Sequence, residues 1–245
     1  MKRTGPAWPA RFARGFTLVE VLVALAVMAL MAALTWRGID GMTRAQAINR
    51  QSTDDTLALQ AGLTQWRADL DAVVSWPAPL LTSSSDLAPL TTQRSLFWDG
   101  STLRLTRADA VDPATGLRVV AWTRQNTTGW WLRWQSAPLT SIQAWAAAWD
   151  AAARWGQNAG MSGLDATVGG GAQAVTIIRV SDWQLYYFRN NAWTNPLSSA
   201  AENADATSTR LPDGVRLLLT LAPGQGIAGQ LSIDWVRPTF TGSGS

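Results

Sequence analysis

Side chains that could carry out chemistry are few in this chain of 245 residues. It contains no His and no Cys, and Lys2 is its only lysine. Without an imidazole or a thiol, Ser-His-Asp catalysis, Cys-His catalysis and thiolate zinc sites are excluded. A carboxylate-based hydrolase would need two acids about 5–10 Å apart across a scissile bond. The candidates are generic, and no spacing singles out a pair among them: Asp99, Asp109, Asp182 and Asp234. An enzyme is therefore disfavoured.

One carboxylate has an unusual position. Glu20 is the only charged residue in the apolar run from Phe16 to Trp36. A helix of that length spans about 30 Å, the thickness of the hydrocarbon core of a bilayer. A carboxylate inside such a segment costs on the order of a few kcal/mol, so Glu20 is expected to have a function.

The charge distribution orients this segment. Four of the 20 basic residues lie in the first 15 positions, which carry no acid, and the remaining 16 face 17 acidic residues. The positive-inside rule predicts a cytoplasmic N-terminus, with the rest of the chain across the membrane. A secretory signal fits less well, because its apolar region would be only about 7–15 residues long and would end at a small-residue cleavage site. The nearly neutral remainder also argues against a nucleic-acid-binding surface.

The segment Arg14-Gly15-Phe16-Thr17-Leu18-Val19-Glu20 resembles the N-terminal signature of type IV pilins and type II secretion pseudopilins. The resemblance implies that a prepilin peptidase cleaves between Gly15 and Phe16 and methylates the new amine of Phe16. It also gives Glu20 a role in assembly, in which the carboxylate pairs with the N-terminal amine of a neighbouring subunit and offsets the burial of both charges. A plain signal anchor with an unpartnered Glu20 remains the alternative.

The expected organisation has four parts. A leader peptide (1–15) precedes a transmembrane helix (16–41), a periplasmic amphipathic helix (42–76) and a β-rich periplasmic head (77–245). Gly38 and Gly41 mark a place where the helix could unwind or bend. The amphipathic stripe predicts a helix to about residue 74, with Ala45, Ile48, Leu59, Leu63, Trp66, Leu70 and Val73 on its apolar side.

Alternating patterns predict strands in the head. Residues 95–98 and 102–107 form a hairpin around Asp99-Gly100, and residues 117–124 and 129–135 form a second one. Further strands are predicted at 175–180, 183–189, 215–221 and 230–236. A short helix is predicted at 141–154, and two loops at 158–173 and 197–209. The expected fold is α+β, a pilin-like long N-terminal helix packed on a mainly antiparallel sheet.

Three segments resemble the J group of minor pseudopilins: 34–41, the pair 183–187 with 191–193, and 211–224 with the strand 233–238. Residues 139–173 match nothing in that group. The resemblance implies a structural subunit that joins minor pseudopilins I and K at the tip of a periplasmic pseudopilus and primes its assembly. Pseudopilin H and the major pseudopilin G are further candidate partners, the prepilin peptidase is the processing enzyme, and the location is the inner membrane. No cofactor, metal or nucleic acid is implied.

The chain has 15 Trp residues, and the densest cluster is 130–134. Trp130, Trp131 and Trp134 could form an aromatic surface for a glycan, with Arg124 and Arg133 adding cation–π contacts. The favoured interpretation is that the Trp residues fill the sheet core and a subunit interface.

The sequence is also compatible with a subunit of a type IV pilus and with a calcium site. A minor pilin of a type IV pilus shares the N-terminal signature, although many of those carry a C-terminal Cys pair that this chain lacks. Calcium could bind at Asp54-Asp55 or in the 158–165 loop, but neither fits the EF-hand pattern.

Overall fold

The computed structural model describes residues 15–74, 95–109, 116–158, 172–198 and 211–238. The chain divides into two compact units, Met1–Arg50 and Gln51–Ser245. Helix α1 (Leu18–Asp71) begins in the first unit and ends in the second.

In the first unit, α1 is long and apolar enough to span a membrane by length and composition. Its large apolar side chains are solvent-exposed in the isolated chain, as Leu22 and Leu25 illustrate. Of the two possibilities at Gly38 and Gly41, unwinding is wrong, because α1 is helical through both residues, and a bend stays a prediction. The packed stripe does not include Ile48, whose side chain is 68% exposed.

The second unit contains the end of α1, a second helix and an antiparallel sheet. The strands are β1 (Leu96–Trp98), β2 (Thr102–Ala108), β3 (Leu117–Arg124), β4 (Trp130–Gln135), β5 (Gln173–Arg189), β6 (Ala192–Thr194), β7 (Gly214–Leu221) and β8 (Gly229–Val236). Their order is β1-β2-β3-β4-β5-β7-β8, and β6 pairs with β5 outside this path. Helix α2 (Ile142–Asn158) lies between β4 and β5 in the chain.

The two predicted hairpins are present. β1 pairs with β2, and β3 pairs with β4. In the first hairpin the turn lies one residue later than predicted, since the N–H of Asp99 donates to the carbonyl of Thr102 at 3.2 Å and leaves Gly100 and Ser101 between them. Gly100 has φ +98°, a conformation that favours glycine at this position. The side chain of Asp99 accepts from the backbone N–H groups of Ser101 and Thr102 and stabilises the turn.

Strand β5 joins the two halves of the sheet. The sequence predicted two strands here, but residues 173–189 form one strand of 17 residues. Its first half pairs with β4 and its second half with β7. The register shifts between Val180 and Asp182 in the pairing with β7, so the interruption between the predicted strands is a bulge within one strand.

Two hydrophobic cores hold the unit together. The larger core lies between α1 and one face of the sheet and includes Leu59, Trp66 and Leu70 of the helix. The smaller core lies between α2 and the opposite face, where Trp145 and Trp149 pack against β3 and β4. The α+β expectation of a long N-terminal helix on an antiparallel sheet is confirmed.

The end of α1 differs slightly from the prediction of a helix to about residue 74. The carbonyl of Ala72 accepts from Ala108 at 2.9 Å, and Val74 donates to Thr106 at 3.0 Å. These backbone groups pair with β2, so they cannot continue the helix. Most of each predicted loop, 158–173 and 197–209, falls outside the described residues.

Candidate functional sites

The N-terminal motif forms a defined helix start. The backbone N–H and the hydroxyl of Thr17 each donate to Oε2 of Glu20 at 3.0 Å, and the N–H of Glu20 donates to Oγ1 of Thr17 at 3.3 Å. This reciprocal pattern is a capping box, in which the side chains of the cap residue and of the residue three positions later satisfy each other's backbone donors. Glu20 therefore has a local structural role in the isolated chain in addition to any role in assembly.

The residues on each side of the expected cleavage point are accessible. Phe16 is 86% exposed, and a Cβ on Gly15 would meet no heavy atom within 4 Å. Both residues precede the first helical residue, Leu18. A peptidase could reach the peptide bond between them without unwinding α1.

The proposed aromatic surface on β4 is wrong for two of its three members. Trp131 is 0% exposed and belongs to the core under α1, while Trp134 is 1% exposed and belongs to the core under α2. The physical reason is that helices cover both faces of β4, so neither face is available. Trp130 is half-buried, and the guanidinium of Arg179 lies 5.1 Å from its ring centroid.

The most developed polar cluster among the described residues was missed by the sequence analysis. Asp69, near the end of α1, is fully buried. Arg133 of β4 binds its carboxylate through two nitrogens, with Nε–Oδ2 of 2.7 Å and Nη2–Oδ1 of 2.8 Å. Arg107 of β2 donates to Oδ1, Trp122 of β3 donates to Oδ2 at 2.9 Å, and Gln65 donates to Oδ1 at 2.8 Å. One carboxylate thus ties α1 to three consecutive strands.

A sequence signal for this cluster existed. Leu103, Leu105 and Arg107 alternate along β2, and the first two are in the core under α1. A charged residue at the next core-facing position requires a buried partner of opposite charge. In this cluster, the guanidiniums of Arg107 and Arg133 share the carboxylate of Asp69. Arg133 also donates to Gln135.

A third buried arginine, Arg104, lies under α2. The guanidinium of Arg104 lies 4.9 Å from the ring centroid of Phe97 and 5.1 Å from that of Trp149, and it donates to the carbonyl of Trp149 at 3.4 Å. Burial lowers the pKa of Arg104, and the nearby carboxylates of Asp99 and Asp150 act in the opposite direction. These contacts attach α2 to the sheet.

The four acids considered for catalysis have separate partners. Asp109 pairs with Arg118 at 3.0 Å, and Asp234 pairs with Arg216 through two bonds of 2.7 and 2.6 Å. Asp182 accepts from the N–H of Trp183, and Asp99 stabilises its turn. These bonds join each of the four carboxylates to a different partner.

One of the two segments considered for calcium has an observed contact. Asp55 accepts from the N–H of Gly226 at 3.1 Å, which attaches α1 to the connection between β7 and β8. Among the residues that the structure describes, no group of three or more Asp or Glu could hold a metal ion. Most of the 158–165 segment lies outside that part of the chain.

Residues 11–36 match the family model for the prokaryotic N-terminal methylation motif. The chain carries a prepilin-like methylation motif. This confirms the resemblance inferred from Arg14 to Glu20 and includes the capping box described above. The motif covers the N-terminal segment and does not assign a role to the second unit.

Comparison with curated proteins and solved structures gives weaker evidence than the methylation motif. No curated protein matches this chain. Among solved structures, a chain of the GspK–GspI–GspJ complex of the Type 2 Secretion System from enterotoxigenic Escherichia coli is similar at 16% sequence identity. The match covers 76% of this chain and 99% of that chain, with a TM-score of 0.45. Similarity at that level establishes neither a common fold nor a common role.

Proposed function

We propose that this protein is a minor pseudopilin of a type II secretion system, processed by a prepilin peptidase and assembled at the tip of the pseudopilus. The observation that carries the proposal is the methylation motif over residues 11–36. In support, a helix apolar enough for a membrane begins within this motif at Leu18 and leads into an α+β unit. The role is structural and involves no covalent chemistry by the subunit after its own processing.

The proposed topology follows from the leader and the apolar segment. Residues 1–15 are cytoplasmic before cleavage, residues 16–41 span the inner membrane, and residues 42–76 and 77–245 form the periplasmic helix and head. The four basic residues of the leader support this orientation. After assembly, the head is at the pseudopilus tip.

The assignment to the J group rests on the sequence resemblance of its three segments. The resemblance in 183–193 falls on β5 and β6, and that in 211–238 falls on the β7–β8 hairpin. The expected partners are therefore minor pseudopilins I and K, with H and G as further candidates. A type IV pilus minor pilin is the alternative.

For assembly, we propose that Glu20 receives the amine of a neighbouring subunit. Thr17 occupies Oε2 of this carboxylate, and no hydrogen bond of the described residues is made by Oε1. A free carboxylate oxygen near the helix start is positioned to accept a charge-assisted bond. Glu20→Ala is expected to leave the segment inserted in the membrane and to impair assembly, measured by membrane fractionation and by recovery of the chain with its partners. Secretion and partner recovery at parental levels in Glu20→Ala would contradict this role.

Processing is tested by mass. Co-expression with a prepilin peptidase should remove residues 1–15 and add one methyl group to Phe16, as read by intact mass and N-terminal sequencing. Gly15→Val should block the cleavage, and Gly38→Val serves as the control because it changes a glycine outside the processing point. An unprocessed parental chain would contradict the proposal.

The tip assignment is tested by binding. The full-length chain in detergent should form a stable ternary complex with pseudopilins I and K from the same organism, read by size-exclusion chromatography. Failure to bind them, combined with binding to pilus subunits, would favour the type IV pilus alternative.

A further inference from the structure

The edge strand β8 has the features of a strand that another chain covers. It is eight residues long and pairs with β7 along its whole length without a register shift. Within the described residues, no strand pairs with its other side. The edge strands β1 and β6 are only three residues each, which is one way in which proteins limit an exposed edge.

The sequence and register of β8 lack the other devices that protect an edge. The strand contains no Pro and no Lys, and its register has no bulge. Its one charged side chain, Asp234, is held by Arg216 on β7. An unprotected edge of this length promotes pairing with another strand.

The backbone geometry identifies which groups of β8 have no strand partner among the described residues. The N–H of Arg237 donates to the carbonyl of Asp213 on the β7 side at 2.8 Å. Since backbone groups alternate in direction along a strand, those of Leu231, Ile233 and Trp235 also point toward β7. The N–H and C=O groups of the even-numbered residues from 230 to 236 therefore point to the open edge. A row of alternating donors and acceptors at this spacing fits an extended polypeptide.

The side chains of β8 specify the chemistry of the added strand. On the face toward α1, Leu231 and Ile233 are only partly buried at the rim of the larger core. On the other face, Gln230, Ser232 and Asp234 are exposed. A strand with alternating apolar and polar residues would cover the rim with its apolar side and leave its polar side in water.

A second copy of this chain fits poorly. Antiparallel pairing of two β8 strands places a two-fold axis perpendicular to the sheet. Within the second unit, α1 runs along β8, with Asp55 bonded to Gly226 at one end and Asp71 bonded to Trp235 at the other. The axis would therefore reverse this helix, and residue 51 would emerge at opposite ends of the joined sheet in the two copies. Two chains anchored in one membrane do not suit that arrangement.

We propose that the outer edge of β8 receives a β-strand from a different subunit of the assembly, with apolar side chains on its α1-facing side. This inference rests on the proposed function, which supplies the partners. The contact is made by backbone hydrogen bonds. The partner strand therefore needs alternating apolar and polar residues, and not a set of specific side chains.

The first test is residue-resolved hydrogen exchange on the full-length chain in detergent, alone and with full-length pseudopilins I and K. In the complex, the amides of Gln230, Ser232 and Asp234 should slow by about tenfold or more, while those of Leu231 and Ile233, which already face β7, should change little. A complex that forms while the even-numbered amides exchange as before overturns the inference and leaves the proposed function standing. Failure to form any complex removes the proposed function and this inference with it. Protection that increases with the concentration of this chain alone would assign the edge to a second copy and overturn the proposal.

The second test uses a matched pair of variants. Ser232→Pro removes an N–H that points to the open edge and leaves the β7–β8 bonds, whereas Ser232→Thr keeps that N–H. Ser232→Pro should weaken capture by the partners by about tenfold or more, and Ser232→Thr should not. Equal capture by both variants would overturn the proposal. Hydrogen exchange on the unsubstituted chain decides the matter if Ser232→Pro fails to fold.

Discussion

Replacing Asp69 by Asn should destabilise the second unit more than any other isosteric change on α1. The carboxylate is fully buried and receives two bonds from Arg133 and one each from Arg107, Trp122 and Gln65. Asn keeps the shape but has one acceptor oxygen, and its NH2 group would face donors. Two buried guanidiniums would then lack a counter-ion, and removing one partner of a buried ion pair costs about 3–5 kcal/mol.

The thermal transition provides the measurement. For a unit of this size, 1 kcal/mol changes Tm by roughly 2–4 °C, so Asp69→Asn should lower Tm by about 6–20 °C. Asp71→Asn is the matched control on the same helix, because Asp71 accepts a single bond, from Trp235 at 2.7 Å. Asn keeps one acceptor oxygen for that bond, so Asp71→Asn should cost about 1 kcal/mol or less. Both variants are compared with the parent in detergent micelles by near-UV circular dichroism, which reports on the packed Trp residues.

The comparison between the two variants is decisive. If Asp69→Asn lowers Tm by no more than Asp71→Asn does, the buried cluster does not hold α1 to the sheet, and the reasoning is wrong. Asp69→Leu provides a further check, since an apolar residue also leaves both guanidiniums unpaired and should be as damaging as Asn.

Three further outcomes are expected. Gly156→Ala should destabilise the chain by about 1–3 kcal/mol, because the Cβ of the alanine would lie 2.1 Å from Oγ1 of Thr102. Chemical denaturation measures this loss, and a neutral result would show that α2 can move away from β2. Thr17→Val should remove the capping box, at a cost of about 1 kcal/mol, and speed amide exchange in the first turn of α1, while Thr17→Ser should retain the capping box. Equal amide exchange in both variants would count against the capping box. The hydrogen bond from Arg216 lowers the pKa of Asp234. This pair therefore contributes stability above the unfolded pKa of about 3.9, and the contribution is lost as pH falls through the folded pKa. An NMR titration of the Asp234 carboxyl should show the lowered pKa, and Arg216→Gln should return it to its ordinary value.

Local sequence patterns predicted most of the fold. Both hairpins, α2 and the strands at β7 and β8 follow from alternation and turn residues, which act over a few positions. The continuity of β5 did not follow from them, because Ser181 and Asp182 interrupt the apolar pattern. The structure accommodates these two residues through a bulge, which depends on the partner strand and not on β5 itself.

The N-terminal motif was identified because its residues are adjacent in the chain. The capping box needs only Thr17 and Glu20 at a spacing of three, and the sequence contains both. Whether Glu20 also serves assembly, and whether cleavage follows Gly15, remain predictions.

The sequence could not place the buried groups. Trp131 packs under α1, whereas Trp134 would face solvent in a sheet with a single helical layer, but α2 covers that second face. The pattern of β4 is the same in either case, so burial depends on where a distant helix packs. Asp69 and Arg133 are 64 positions apart, and only the tertiary structure brings them together.

The positions of the three strand residues that hold Asp69 have a consequence for the order of folding. Arg107, Trp122 and Arg133 all precede β5 in the chain, and β5 is the strand that connects the two halves of the sheet. Under the proposed topology, a polypeptide exported in the order of its synthesis releases the end of α1, β2, β3 and β4 before β5, β7 and β8 are free. The helix can then be fixed to the first half of the sheet at an early stage of export, and the edge strand β8 forms last, when the proposed partner strand can pair with it.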